Sequence, residues 1–325
     1  MSSEISNSRI GNNGFTVNHD WLHLPPRFEL GEVSDVAVDS RDRVYLFNRG
    51  PHPVAIVDRN GNLLDHWGAG VFNRPHGINI GPDDRVYCTD DMGSTVRVFT
   101  PEGKQVLILG EHNRSSEPLS GQPFSGCTNT TIGPGGSIYV SDGYHNARIH
   151  KFDPDGRFLL SWGEPGSDEG QFILPHDLGC DSEGRVYVAD HANCRIQIFD
   201  RNGRYEGQWS CYGPMGLYVS RTSDLVVVTE DCHSPSKYPK NWRYAGSRVL
   251  LTNHAGARIA GIGGARPGHQ GEEFMAPHGV DMNSLGEIFV ADLASSTWSW
   301  FFPDQPKPEG LSTVHRLSPS KAVLG

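Results

Sequence analysis

The sequence has no apolar run of membrane-spanning length, no Cys-x-x-Cys pair and no cluster of basic residues. The first absence excludes a membrane-spanning helix, which needs about 20 consecutive apolar residues. With 28 Lys and Arg against 38 Asp and Glu and a net charge of −10, the missing basic patch argues against nucleic acid and anionic membrane as partners, because both demand concentrated positive charge. The opening residues, Met1 to Gly14, are rich in Ser and Asn and lack the apolar segment of a secretory signal, so the expected location is cytoplasmic. Six cysteines, Cys88, Cys127, Cys180, Cys194, Cys211 and Cys232, lie scattered along the chain. That pattern fits reduced thiols better than a disulfide framework.

Glycine and proline are plentiful, at 39 and 22 of 325 residues, and they are spread along the whole chain. Between them one phrase recurs: an alternating apolar strand, a turn containing Asp or Gly, and a second alternating strand ending in Asp. Four copies are plain: HGINIGPDDRVYCTDD from His76, TNTTIGPGGSIYVSDG from Thr128, HDLGCDSEGRVYVADH from His176 and HGVDMNSLGEIFVADL from His278. Two weaker copies start at Ser34 and Met215. Third strands such as TVRVFTPEG and CRIQIFDRNG follow, and then runs closing on Trp-Gly or Leu-Gly. Period-two alternation marks half-buried strands, and the DG, EG and NG pairs mark hairpin turns.

Four short strands in a unit of roughly 40 to 50 residues is the spacing of a β-propeller. The expectation is therefore an all-β, six-bladed β-propeller occupying residues 30–325 as one domain. An N-terminal extension, residues 1–29, should pack on or pair with the last blade. A closed ring is preferred to an open solenoid because closure removes exposed sheet edges. An insertion in the fifth copy, His233 to Gly246, should form a surface loop that overhangs one face.

The residue opening the innermost strand of a blade stands at the mouth of the central channel. Through the six copies that position runs Ser34 or Asp35, His76, Asn129, His176, Met215, His278. Histidine occurs in the second, fourth and sixth copies, each time after a proline: Pro75, Pro175, Pro277. Alternate blades of a six-fold ring lie about 120° apart, so three imidazoles at equal depth converge on one axial point. Three neutral nitrogens with an open position are what a catalytic metal requires; zinc is the natural occupant, with Fe, Cu, Ni and Co compatible by ligand type. Were Pro-His a mere turn signature, histidine should also open the first, third and fifth copies. It does not.

These residues resemble the NHL-repeat lyases of peptide amidation, the peptidyl-α-hydroxyglycine α-amidating lyases, over nearly the whole chain from about Leu30 to Trp300. The likeness is most specific from SDGYHNARIHKF through SWGEPGSDEGQFILPHDLGC to VYVADHANCRIQIF, and again in VSDVAVDSRDRVYLFNRG. The resemblance implies zinc on His76, His176 and His278, a tyrosine acting at the metal at Tyr144, and a substrate-side arginine at Arg49. It also implies a structural calcium on the carbonyls of Val36 and Ile78 with an aspartate after the third histidine, where this chain has Gly279. A second arginine of the family falls on His191, and a cysteine falls on His145, which leaves Cys127 without its expected partner. Losing that arginine removes a fixed positive charge from the pocket. His191 and His145 are expected either to shuttle protons or to face solvent.

The activity implied is cleavage of the C–N bond of a carbinolamide, on a small-molecule or short peptide-like substrate, to an aldehyde and an amide. Tyr144 would accept or relay the hydroxyl proton, and Arg49 would hold substrate or stabilise developing charge. Two other readings use the same fold: a metal-dependent hydrolase or hydratase, and a non-catalytic NHL interaction module. The recurring strand-end carboxylates Asp90, Asp142, Asp190 and Asp292 are expected to be structural.

Overall fold

The computed structural model describes residues 14–231, 246–264 and 266–320. Its strands form six four-stranded antiparallel sheets, five of them in simple meander order. The innermost strands are Val33–Val38, Pro75–Ile80, Asn129–Ile132, Pro175–Cys180, Pro214–Val219 and Pro277–Met282, here the inner strands of blades 1 to 6. Each touches the next, and the sixth touches the first, so the ring closes. The one α-helix among the described residues, α1 (Ala294–Phe301), follows the second strand of blade 6.

Alternation explains why the middle strands are almost wholly apolar. In blade 1, Val44 and Leu46 face blade 6 while Tyr45 and Phe47 face blade 2. Both sheet faces are therefore buried, each shared with a neighbour, and six interblade clusters take the place of a single core. The Trp-Gly runs and the turn glycines belong to the same packing. Gly103 of blade 2, at φ 81°, lies so close to Trp67 of blade 1 that a Cβ would approach Cγ of the indole to 2.6 Å, and Gly203 stands likewise against Trp162.

Blade 6 takes its outermost strand from the start of the chain. Phe15–Asn18 pairs with Val314–Pro319, and Trp21 then packs between blades 6 and 1. Residues 1–13 of the extension and residues 233–245 of the insertion lie outside the described residues.

Candidate metal centre

Each of the three histidines sits at an irregularity in its strand. In blade 2 the register steps from Pro75–Asp90 to Gly77–Thr89, and in blade 4 from Pro175–Asp190 to Asp177–Ala189, leaving His76 and His176 as extra residues. The same break spans His278 in blade 6. A bulge re-aims a side chain that regular pleating would send toward a neighbouring blade. The strand-end aspartates hold the approach to it. Asp90 accepts the backbone N–H groups of Asn73 and Arg74, Asp190 that of Ile173, and Asp292 those of Met275 and Ala276.

The rings meet. Their centroids lie 5.0, 5.0 and 4.7 Å apart, all three side chains are buried, and their ligand nitrogens lie within 4.8 Å of one another. Each Nδ1–H donates to the backbone carbonyl of the residue opening the next blade: His76 to Thr128 (2.7 Å), His176 to Met215 (2.9 Å), His278 to Ser34 (2.6 Å). A carbonyl can only accept, so this bond fixes the tautomer and leaves Nε2 as the lone-pair nitrogen of each ring. Burial, and then the neighbouring imidazoles, hold His76 and His278 well below the usual histidine range, which keeps them neutral. The donor set, its protonation and its bracing all fit a divalent transition metal.

These contacts correct one alignment. The residue opening blade 3 is Thr128, and Asn129 stands one step along the channel, level with Asp35 and Asp177. There Asp35 accepts from Val36 N, Ile78 N and Asn129 Nδ2. The positions beside these side chains are glycines by necessity. A Cβ on Gly77 would lie 2.4 Å from Asn129 Oδ1, and one on Gly279 would lie 1.8 Å from Asp35 Oδ1. Asp35, from blade 1, thus occupies the space beside Gly279. Burial, reinforced by Asp177, holds Asp35 well above the ordinary carboxyl range, and burial pushes Asp177 up to about 8.

On the histidine side, Tyr144 Oη lies 2.8 Å from His76 Nε2. Gly126, at φ 83°, lets the tyrosine approach, since a Cβ there would stand 2.7 Å from that of Tyr144. Burial, helped by Asp91, pushes the phenol up to about 12, while Arg74 and Arg49 oppose the shift. Arg49 reaches Pro75 O through Nε (3.4 Å) and Glu32 through Nη1 (3.3 Å). His191 is buried, with Nδ1 3.2 Å from Pro214 O and its ring 5.8 Å from that of His176; His145 is exposed. Arg74 was not singled out by sequence reasoning. Its guanidinium lies 5.5 Å from the centre of the Tyr144 ring and pairs with Asp91. The one available signal was its place immediately before Pro75-His76.

Comparison with known proteins supplies the family. The NHL repeat family matches residues 172–199, from just before the inner strand of blade 4 to its third strand. The chain is 30% identical to NHL repeat-containing protein 3 of Mus musculus over 66% of its own length and 70% of that protein's. To peptidyl-alpha-hydroxyglycine alpha-amidating lyase 1 of Drosophila melanogaster it is 26% identical, over 90% of this chain and 59% of that one. The chain belongs to the amidating-lyase-like family of NHL-repeat propellers.

Its relation to the larger members of that family is partial. It is 34% identical to peptidylglycine alpha-amidating monooxygenase of Rattus norvegicus over 55% of its own length, and the match spans 21% of that protein. Among solved structures, a streptogramin B lyase shares the fold: TM-score 0.58 at 9% identity, covering 94% of this chain and 98% of the other. A second relative bearing the amidating-lyase name, a probable peptidyl-alpha-hydroxyglycine alpha-amidating lyase of Caenorhabditis elegans, is 29% identical over 62% of this chain and 64% of that one.

Proposed function

We propose that this NHL-repeat protein is a metal-dependent lyase that splits the C–N bond of a carbinolamide, giving an aldehyde and a primary amide. The observation that carries the reading is the Tyr144 hydroxyl 2.8 Å from His76 Nε2, at the edge of three converging imidazoles. His76, His176 and His278 would hold zinc, whose contribution is Lewis acidity toward the substrate oxygen. The remaining chemistry belongs to the chain. The substrate hydroxyl loses its proton, the O–C bond becomes a carbonyl, the C–N bond breaks, and the departing amide nitrogen gains a proton. A neutral Tyr144 phenol suits this exchange, because it takes the hydroxyl proton while giving its own toward nitrogen and ends unchanged. Arg49, seated on the carbonyl that precedes His76, stabilises charge that builds on oxygen. His191, buried against the His176 ring, serves as a proton carrier. A calcium ion, if held, would sit against the backbone carbonyls of Val36 and Ile78.

The test is elemental analysis of the purified protein together with turnover of N-benzoyl-α-hydroxyglycine to benzamide and glyoxylate. His176→Ala should lose both the metal and the turnover. Stoichiometric metal with no turnover of any hemiaminal, or label from ¹⁸O-water entering a product during the chemical step after correction for carbonyl exchange, overturns the lyase assignment.

A further inference from the structure

Position 191 carries an imidazole where the resemblance implies a guanidinium, yet the centre has two guanidiniums. They stand on either side of Pro75, on blades 1 and 2: Arg49 donates to the Pro75 carbonyl, and Arg74 is the residue before it. The charges of both act on His76 and on Tyr144.

Each arginine is ion-paired, and the two pairs are oriented alike. The Asp91 side chain is 1% exposed while that of Arg74 is 39% exposed; Glu32 is 12% exposed against 26% for Arg49. The acids are also committed to backbone donors. Asp91 Oδ1 accepts from Met92 N as well as from Arg74 Nε, and Glu32 Oε1 accepts from the backbone of Ser296 in α1. Arg74 uses its Nε and Nη2 on Asp91. Among the described residues no hydrogen bond occupies Arg74 Nη1 or Arg49 Nη2. Both pairs therefore present the cation outward with donors to spare, and a guanidinium fixed along one edge is well prepared to bind a planar anion along another.

The geometry points to Arg74 as the second anion-docking arginine of this centre: with Arg49 it holds a substrate carboxylate on the blade 1–blade 2 side of the axis. The chemistry near the reacting carbon rests on the lyase reading; the anion subsite does not. Arg74 is thus a specificity-determining residue, and the position of the cation has moved from the blade 4 wall to the blade 2 wall.

Calorimetric titration with two non-reacting probes tests this, using N-benzoylglycine and its neutral primary amide on metal-loaded wild type, Arg74→Gln and Arg74→Lys. Metal content is measured on each preparation. The carboxylate should bind wild type more tightly than the amide. Arg74→Gln should weaken the carboxylate roughly 10- to 100-fold and leave the amide within about twofold, and Arg74→Lys should recover part of the loss. Because Arg74→Gln strands the buried Asp91, the double variant Arg74→Gln/Asp91→Asn keeps the test valid and should show the same selective loss. Equal affinity of wild type for the two probes, equal loss of both, or no binding of either overturns the inference. Arg74-dependent carboxylate binding in a protein that turns over no hemiaminal supports the subsite and removes the lyase reading. Turnover with no preference for the carboxylate does the reverse.

Discussion

The Nδ1 of His278 lies 2.6 Å from the carbonyl oxygen of Ser34, so the third of the axial histidines is aimed by the first blade. The two residues are 244 positions apart. What brings them together is ring closure, which depends on Phe15–Asn18 completing blade 6 and on Trp21 filling the seam with blade 1.

Loosening that seam should loosen the centre. Trp21→Ala is expected to cost about 3–5 kcal/mol in chemical denaturation. Phe199→Ala, between blades 3 and 4 where no histidine–carbonyl bond crosses, should cost a similar amount. Metal retention in the folded state, measured by competition with a chelator, should fall in the first variant and hold in the second. Equal retention in both would show that closure does not tune the site.

Gly279→Ala should be costly beyond its size. The new methyl would overlap Asp35 Oδ1, whose carboxyl is pinned by two backbone N–H groups and Asn129. A loss of more than about 2 kcal/mol is expected, and adding Asp35→Gly should cost less than the sum of the two single changes. Additive losses in a double-mutant cycle would mean that the two residues do not contend for the same space.

The channel acids give a pH signature. Burial pushes Asp281 up to about 7, far above an unfolded carboxyl near pH ~3.9. Between those values the folded state keeps a proton that the unfolded chain has released, so this contribution to stability declines as pH rises and levels off above about 7. Asp281→Asn lacks the slope. Wild-type stability minus variant stability, from urea curves at pH 5, 7 and 8.5, should fall between the first two and change little thereafter; a flat difference would show that Asp281 ionises freely.

Tyr144→Phe should separate holding the metal from using it. Removing the hydroxyl leaves all three Nδ1–carbonyl bonds intact. Metal content should stay at the wild-type level while turnover of N-benzoyl-α-hydroxyglycine drops by about 10²- to 10⁴-fold. Unchanged turnover would remove Tyr144 from the chemistry.

The ring and its three histidines were legible because repetition amplifies a weak signal. One Pro-His means little, but three in phase with a two-blade period specify an axis. What stayed hidden was local. The opener of blade 3 looked like Asn129, one place late: the phrases from His76 and Thr128 run in step, but no histidine marks position 128, and it is the bond from His76 to the Thr128 carbonyl that does. Arg74 was invisible for a different reason. Its own blade marks it only by its place before Pro75-His76, and its meaning comes from the Tyr144 ring contributed by blade 3. The recurrence of the strand-end aspartates was readable, but which amides they hold was not readable from spacing.

The bonds from His76, His176 and His278 to Thr128, Met215 and Ser34 couple blades in twos. The design is thus a question of parity. An odd number of blades would set two histidines, or two carbonyl openers, side by side and break the alternation, so a family built this way can gain or lose repeats only in couples. The next larger member of such a series would have eight blades and a four-fold set of imidazoles, a different coordination chemistry from the same rule.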